Sequence, residues 1–178
     1  MIPKACRSSA RSSASTDSST EPRSLAKRSD QPPHLIPYQG SKRALAPAIL
    51  DLLGERRFSA LYEPFAGSAA WSIAAARRGL ADRYCLADSL QPLIGIWQRC
   101  LHDPARLSAD YEALWTAQLA APRAHYAEVR AQFNRDADPV KLLYLLARCV
   151  KNAPRFARDG SFNQAADHRR KGRSPERM

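Results

Sequence analysis

A chain of 178 residues suits one domain, or one domain and part of a second. Its formal net charge of +11 and pI of about 10.0 favour a polyanionic partner, most often nucleic acid, although a basic ribosomal-type protein carries the same balance. No apolar run approaches the roughly 18 residues that cross a bilayer, so the chain is expected to be soluble and cytoplasmic, with no membrane partner.

Residues 1–33 are dominated by Ser, Arg and Pro and have almost no hydrophobic periodicity. They cannot bury enough surface to offset their ordering entropy and are expected to form a disordered basic tail. The composition has some character of a transit peptide, but Asp17, Glu21 and Asp30 count against one. Order is expected from His34. Leu45, Ile49, Leu52 and Leu53 recur at helical spacing before a stop at Gly54. Residues 59–65 read as a strand, 69–78 as a helix capped by Gly79, 83–87 as a second strand, and 91–101 as a helix with Pro92 in its first turn. This alternation is the start of an α/β sheet. Beyond His102 the pattern is helical. Leu107, Tyr111, Leu114, Trp115 and Leu119 share one face, Tyr126, Val129 and Phe133 another, and residues 140–150 form a third candidate helix. The end is basic and loop-like, with nine Lys or Arg against three acids over 148–178.

Cys6, Cys85, Cys100 and Cys149 lack metal-ligand spacing and suit reduced thiols, the last three as small core residues. His34, His102, His125 and His168 are scattered without a triad or metal signature, so no metal is expected.

The stretch "YEPFAGSAAW" at 62–71 carries the strongest chemical signal. A strand that feeds a glycine turn and then a helix gathers backbone N–H groups around one crevice, and Gly67 permits the tight turn. Asp88 follows Gly67 by 21 positions, at the end of the second strand, where nucleotide-binding sheets place an acid on ribose hydroxyls. The turn has one glycine and no G-x-G-x-x-G, so a pyrophosphate has no evident cradle. An adenosine ligand without phosphates, such as S-adenosylmethionine, fits better. A purely structural strand–turn–helix with an incidental aspartate would look the same.

"YQGSK" at 38–42, "EPFAGSAAW" at 63–71 and "LADSLQPLIGIW" at 86–97, in this order, resemble the Dam-type adenine-specific DNA methyltransferases. "VRAQFN" at 129–134, "YLLARCVKNAPRF" at 144–156 and "DGSFNQAADHRRKG" at 159–172 resemble the segments that follow in that family, so the similarity spans roughly 34–178. The resemblance implies a Rossmann-like, S-adenosylmethionine-dependent methyltransferase sheet, incomplete here, over 34–102. It implies a helical, basic target-recognition region over 103–178, and double-stranded DNA as substrate. Tyr38 and Lys42 would contact the cofactor. Glu63, Phe65 and Gly67 would form the methionine and adenosine side of the pocket, and Asp88 would bind the ribose. Arg155, Arg158, Arg169, Arg170, Lys171 and Arg173 are candidates for phosphate contacts.

The sequence departs from the family in three places. Ala69 stands where a second small glycine is frequent, and Leu90 where an asparagine is usual. The family's Asp-Pro-Pro-Tyr motif is missing; the chain's Asp-Pro pairs are Asp103–Pro104 and Asp138–Pro139, and neither continues as Pro-Tyr. That motif hydrogen-bonds the weakly nucleophilic adenine amino group and stacks on the extruded base. The expectation is therefore a truncated or split methyltransferase, inactive alone and with no catalytic residue of its own, whose motif a second chain could supply. The alternatives are a non-catalytic basic DNA-binding module and the S-adenosylmethionine-binding subunit of a two-chain enzyme.

Overall fold

Two short parallel strands carry the amino-terminal part. The computed structural model describes residues 33–177. The Ser/Arg-rich stretch expected to be disordered lies, all but Pro33, outside those residues, as does Cys6. Helix α1 (Ala46–Asp51) precedes β1 (Leu61–Glu63), α2 (Ala70–Arg77), β2 (Tyr84–Leu86) and α3 (Gln91–His102). The helices α4 (Pro104–Ala117), α5 (Pro122–Asp136) and α6 (Pro139–Arg148) follow. Among the described residues, six α-helices accompany a two-stranded parallel sheet in which Leu61 faces Tyr84, Tyr62 faces Cys85 and Glu63 faces Leu86. The expected strands are present but shorter. Among the described residues no helix is long and apolar enough to cross a membrane, and no cluster of His, Cys, Asp and Glu could hold a metal ion.

The helical spacing of Leu45, Ile49 and Leu52 does not mark the buried face of α1. Leu45 is 55% exposed and Leu52 84%, and Ile49 is also exposed, whereas Ala46 and Leu50 are buried. The partner surface explains the difference. α2 presents Ala74 and Ala75, and these small side chains let Ala46 and Leu50 approach closely, with Leu53 packed at the edge. Helical spacing alone does not choose between two adjacent stripes.

The larger core joins α3 to α4, α5 and α6. Leu93, Ile96 and Trp97 meet Leu107, Tyr111, Tyr126, Val129 and Phe133, and α6 is buried along its length from Leu142 to Arg148. The predicted faces of α4 and α5 hold except at Leu119, which lies beyond the end of α4 and is exposed. α3 and α6 touch at Gly95, where a Cβ would lie 2.5 Å from Pro139 Cγ, so only glycine permits this crossing. Cys149 is buried, and Cys85 and Cys100 are half-buried free thiols. Burial pushes the Cys149 thiol up to about 11, so it stays protonated and behaves as a core residue.

Both Asp-Pro pairs start helices. Asp103 caps α4, its carboxylate accepting from Arg106 N at 3.0 Å. Asp138 caps α6, accepting from Val140 N at 2.8 Å and Lys141 N at 3.2 Å, and its other oxygen takes Arg99 Nη2 at 3.0 Å. In each pair the proline occupies the first turn, where its missing N–H costs nothing.

The basic carboxyl-terminal segment does not hang free. It lies back across the helices, and helix side chains hold it through its backbone carbonyls. Tyr111 donates to Arg173 O at 2.6 Å, Gln118 Nε2 to Lys171 O at 3.0 Å, Tyr126 to Gln164 O at 2.9 Å and Asn134 Nδ2 to Phe162 O at 3.1 Å. Arg148 Nη1 donates to Asp167 O at 3.1 Å and also to Arg170 O. Because carbonyls make these contacts, the side chains of Arg155, Arg158 and Arg169 are left exposed. Arg173 differs. It is half-buried, and its guanidinium donates to the His34 carbonyl and meets His34 Nδ1 at 3.1 Å. Burial first, and then the Arg173 and Arg43 charges, lower the His34 pKa.

Candidate functional site

The turn after β1 is built by two carboxylates acting on backbone amides. Glu63, the last residue of β1, accepts from Ser72 N at 2.9 Å in the first turn of α2. Asp88, just past β2, accepts from Gly67 N at 2.9 Å through one oxygen and from Leu90 N at 3.0 Å through the other. Each acid satisfies donors that a helix start or tight turn would leave unpaired. Hydrogen bonds to a charged acceptor contribute roughly 1.5–3 kcal/mol each, so Asp88 is a main determinant of the turn's shape. From the other side, the Trp97 indole donates to Gly67 O at 3.0 Å. Both polar backbone groups of Gly67 are therefore bonded to side chains.

Gly67 has φ +48°, and Tyr38 packs where its Cβ would point, with ring atoms 3.8 Å away. Tyr38 is half-buried, and burial followed by the Asp88 charge raises its pKa, so the phenol remains protonated. Ser68 Oγ donates to Ser41 Oγ at 2.7 Å, joining "YQGSK" to "FAGSAA". Lys42 Nζ donates to Gly40 O at 3.1 Å.

These segments enclose a cavity of about 660 Å³ beyond the carboxyl end of β1. Tyr38, Lys42, Glu63, Phe65 and Gly67 all line it. Asp88 does not; it stands behind the wall, bonded to Gly67. Ser41, Ser68 and Trp71 also line the cavity, and nothing in their sequence pattern marks them beyond their place inside the two motifs. Phe65 is 88% exposed, so its ring forms a rim rather than a floor. Leu50, Leu53 and Leu61 supply apolar wall, and Lys42 and Glu63 supply one charge of each sign.

Ala69, which departs from the glycine that the resemblance implies, has φ +47° and ψ +35° at the start of α2. This left-handed conformation costs a residue with a Cβ about 1–2 kcal/mol. Ala69 is fully buried and its Cβ also packs in the core. Ala69→Gly is expected to raise the unfolding free energy by about 0.5–1 kcal/mol, the relief of strain exceeding the lost methyl contact and the added flexibility of the unfolded chain. Urea unfolding measures this, and a clear loss of stability would show that the methyl contact dominates.

Fold and cavity together define a mixed helical and parallel-sheet protein with a ligand-sized crevice at the carboxyl end of its first strand. Residues 38–177 match the family model of the D12 class N6 adenine-specific DNA methyltransferases, and the chain belongs to that family. No curated protein matches the chain.

Proposed function

We propose that this chain is the cofactor- and DNA-binding part of an S-adenosylmethionine-dependent enzyme that methylates the adenine amino group in double-stranded DNA. The observation that carries the cofactor reading is the convergence of Tyr38 and Lys42 with Glu63, Phe65 and Gly67 on one cavity. Its volume lies within the range of about 300–1,000 Å³ usual for small-molecule sites. The apolar wall suits an adenine and a methionine side chain. Lys42 and Glu63 offer opposite charges to the carboxylate and ammonium of the amino-acid end. The lone glycine offers no phosphate cradle, which suits a phosphate-free adenosine.

When bound, S-adenosylmethionine supplies an electrophilic methyl group for in-line transfer to adenine. The chain's own residues bind and orient. Tyr38 packs on the Gly67 turn, and Asp88 fixes that turn, in addition to any contact with a ribose hydroxyl. Residues 34–102 would form the cofactor part of a Rossmann-like sheet and 103–178 the target-recognition region. The exposed Arg155, Arg158 and Arg169 are candidates for DNA phosphate contacts, which position the protein without reading sequence. Arg173 leaves that set because its guanidinium is engaged with His34.

Neither Asp-Pro pair is free to hold an adenine amino group, since each carboxylate caps a helix. The residues that present adenine would therefore come from further sequence or from a second chain. Calorimetric titration of the purified chain with S-adenosylmethionine should show saturable binding. Incubation with cofactor and adenine-containing duplex should transfer no methyl group. Transfer at ordinary enzymatic rates would overturn the assignment of the acceptor residues to another segment. Duplex binding without cofactor binding would leave the non-catalytic DNA-binding module in its place.

A further inference from the structure

A second cavity, of about 470 Å³, lies between the start of α5 and the returning basic segment and shares no lining residue with the first. Its side chains include Arg123, Arg148, His168, Arg170 and Lys171, and no acidic residue lines it. The wall formed by α5 is the helix N-terminus, Ala121 to Ala124. Ala121 is the N-cap, and no side chain caps the first turn. Pro122 has no N–H, so the amides of Arg123 and Ala124 are the orphan donors of this helix. The helix dipole adds positive potential at the same place.

Arg148 is the independent pointer to a ligand. It is 2% exposed, yet no carboxylate among the described residues pairs with it. Its Nη1 is held by the Asp167 and Arg170 carbonyls, and its Nε has no partner among the described residues. The neighbouring carboxylate, Asp167, is engaged by Arg170 at 3.1 Å and Arg169 at 3.5 Å. A buried cation without a counter-ion is costly, and an anion in the recess would offset that cost. A helix terminus, guanidinium groups and an ammonium line the one recess. This suits a tetrahedral oxyanion with several acceptor oxygens better than a planar carboxylate.

We propose that this recess is a phosphate site, filled by a phosphodiester of duplex DNA. The choice of DNA rests on the proposed function; the phosphate chemistry rests on the recess alone. Arg123 and Lys171 are exposed at its mouth, so a polymer backbone can reach it. Such a contact would hold the duplex in register against the helical region without reading bases.

The test uses the full chain and two probes, inorganic phosphate and a short duplex. In isotope-labelled protein, phosphate should shift the amide signals of Arg123 and Ala124. Those shifts should vanish in the double variant Arg123→Ala, Lys171→Ala. That variant should bind duplex about 10-fold more weakly, and its salt dependence should be shallower by about one to two counterions. Arg56→Ala, which removes an exposed charge outside the recess, should leave the phosphate response intact. The proposal is overturned if phosphate leaves both amides unmoved, or if the double variant binds duplex with native affinity and salt slope. Native protein that binds duplex while phosphate leaves the recess unmoved would sink the recess and leave the proposed function standing. Native protein that takes phosphate but ignores duplex would overturn the DNA source along with that function.

Discussion

Asp88→Ala is expected to weaken S-adenosylmethionine binding by about 30-fold, equivalent to about 2 kcal/mol. The loss does not require the carboxylate to touch the ligand. Asp88 holds the amides of Gly67 and Leu90, and Gly67 lines the cavity in the left-handed conformation that lets Tyr38 pack against it. Without the carboxylate the turn loses its acceptor, and the preorganised cavity wall is free to relax. Asp88→Asn separates the two bonds, because an amide offers one acceptor oxygen and turns an NH₂ group toward the other donor. Its affinity should therefore fall between native and alanine. Calorimetric titrations of the three proteins, with thermal melts alongside, read the effect. Unchanged affinity in Asp88→Ala would remove Asp88 from the site and break the link drawn between "FAGSAA" and the second strand.

Arg148→Ala is expected to lower the unfolding free energy by about 3 kcal/mol. Two effects oppose each other. Removing a buried charge with no counter-ion relieves desolvation, but it also leaves the Asp167 and Arg170 carbonyls without their donor and opens a cavity at the end of α6. Each orphaned group costs about 1–3 kcal/mol, and the cavity adds to that. Loss therefore outweighs relief. Arg148→Met fills the volume without restoring the donor and should lose about half as much. Urea unfolding measures both, and a change within about 0.5 kcal/mol for the alanine variant would show that the carbonyls find water instead. The same measurement reports whether the basic segment is fastened to the helices mainly at this point.

Much of the architecture was legible because its causes are local. Gly79 and Pro92 mark a helix end and a helix start, and the apolar spacing of Tyr126, Val129 and Phe133 fixes the buried face of α5. The candidate site residues could be grouped from the sequence for a different reason. The order of "YQGSK", "EPFAGSAAW" and "LADSLQPLIGIW" ties them to one family, and Tyr38, Lys42, Glu63, Phe65 and Gly67 do meet at one cavity. The two Asp-Pro pairs could have been read correctly from sequence alone. An aspartate followed by proline ahead of an apolar-periodic run is a helix-start signal.

By itself the sequence determined which segments are helices and strands, the family, and the cluster of residues around the Gly67 turn. Only the tertiary structure decided which stripe of α1 is buried, since small residues on α2 admit Ala46 and Leu50 in preference to Leu45 and Leu52. It alone also showed that the basic segment is strapped to the helices and that Arg148 is enclosed. Those contacts join side chains to backbone carbonyls up to 62 positions away, as between Tyr111 and Arg173. A carbonyl is common to every residue, so no pattern of side chains along the chain can announce which one will accept the bond.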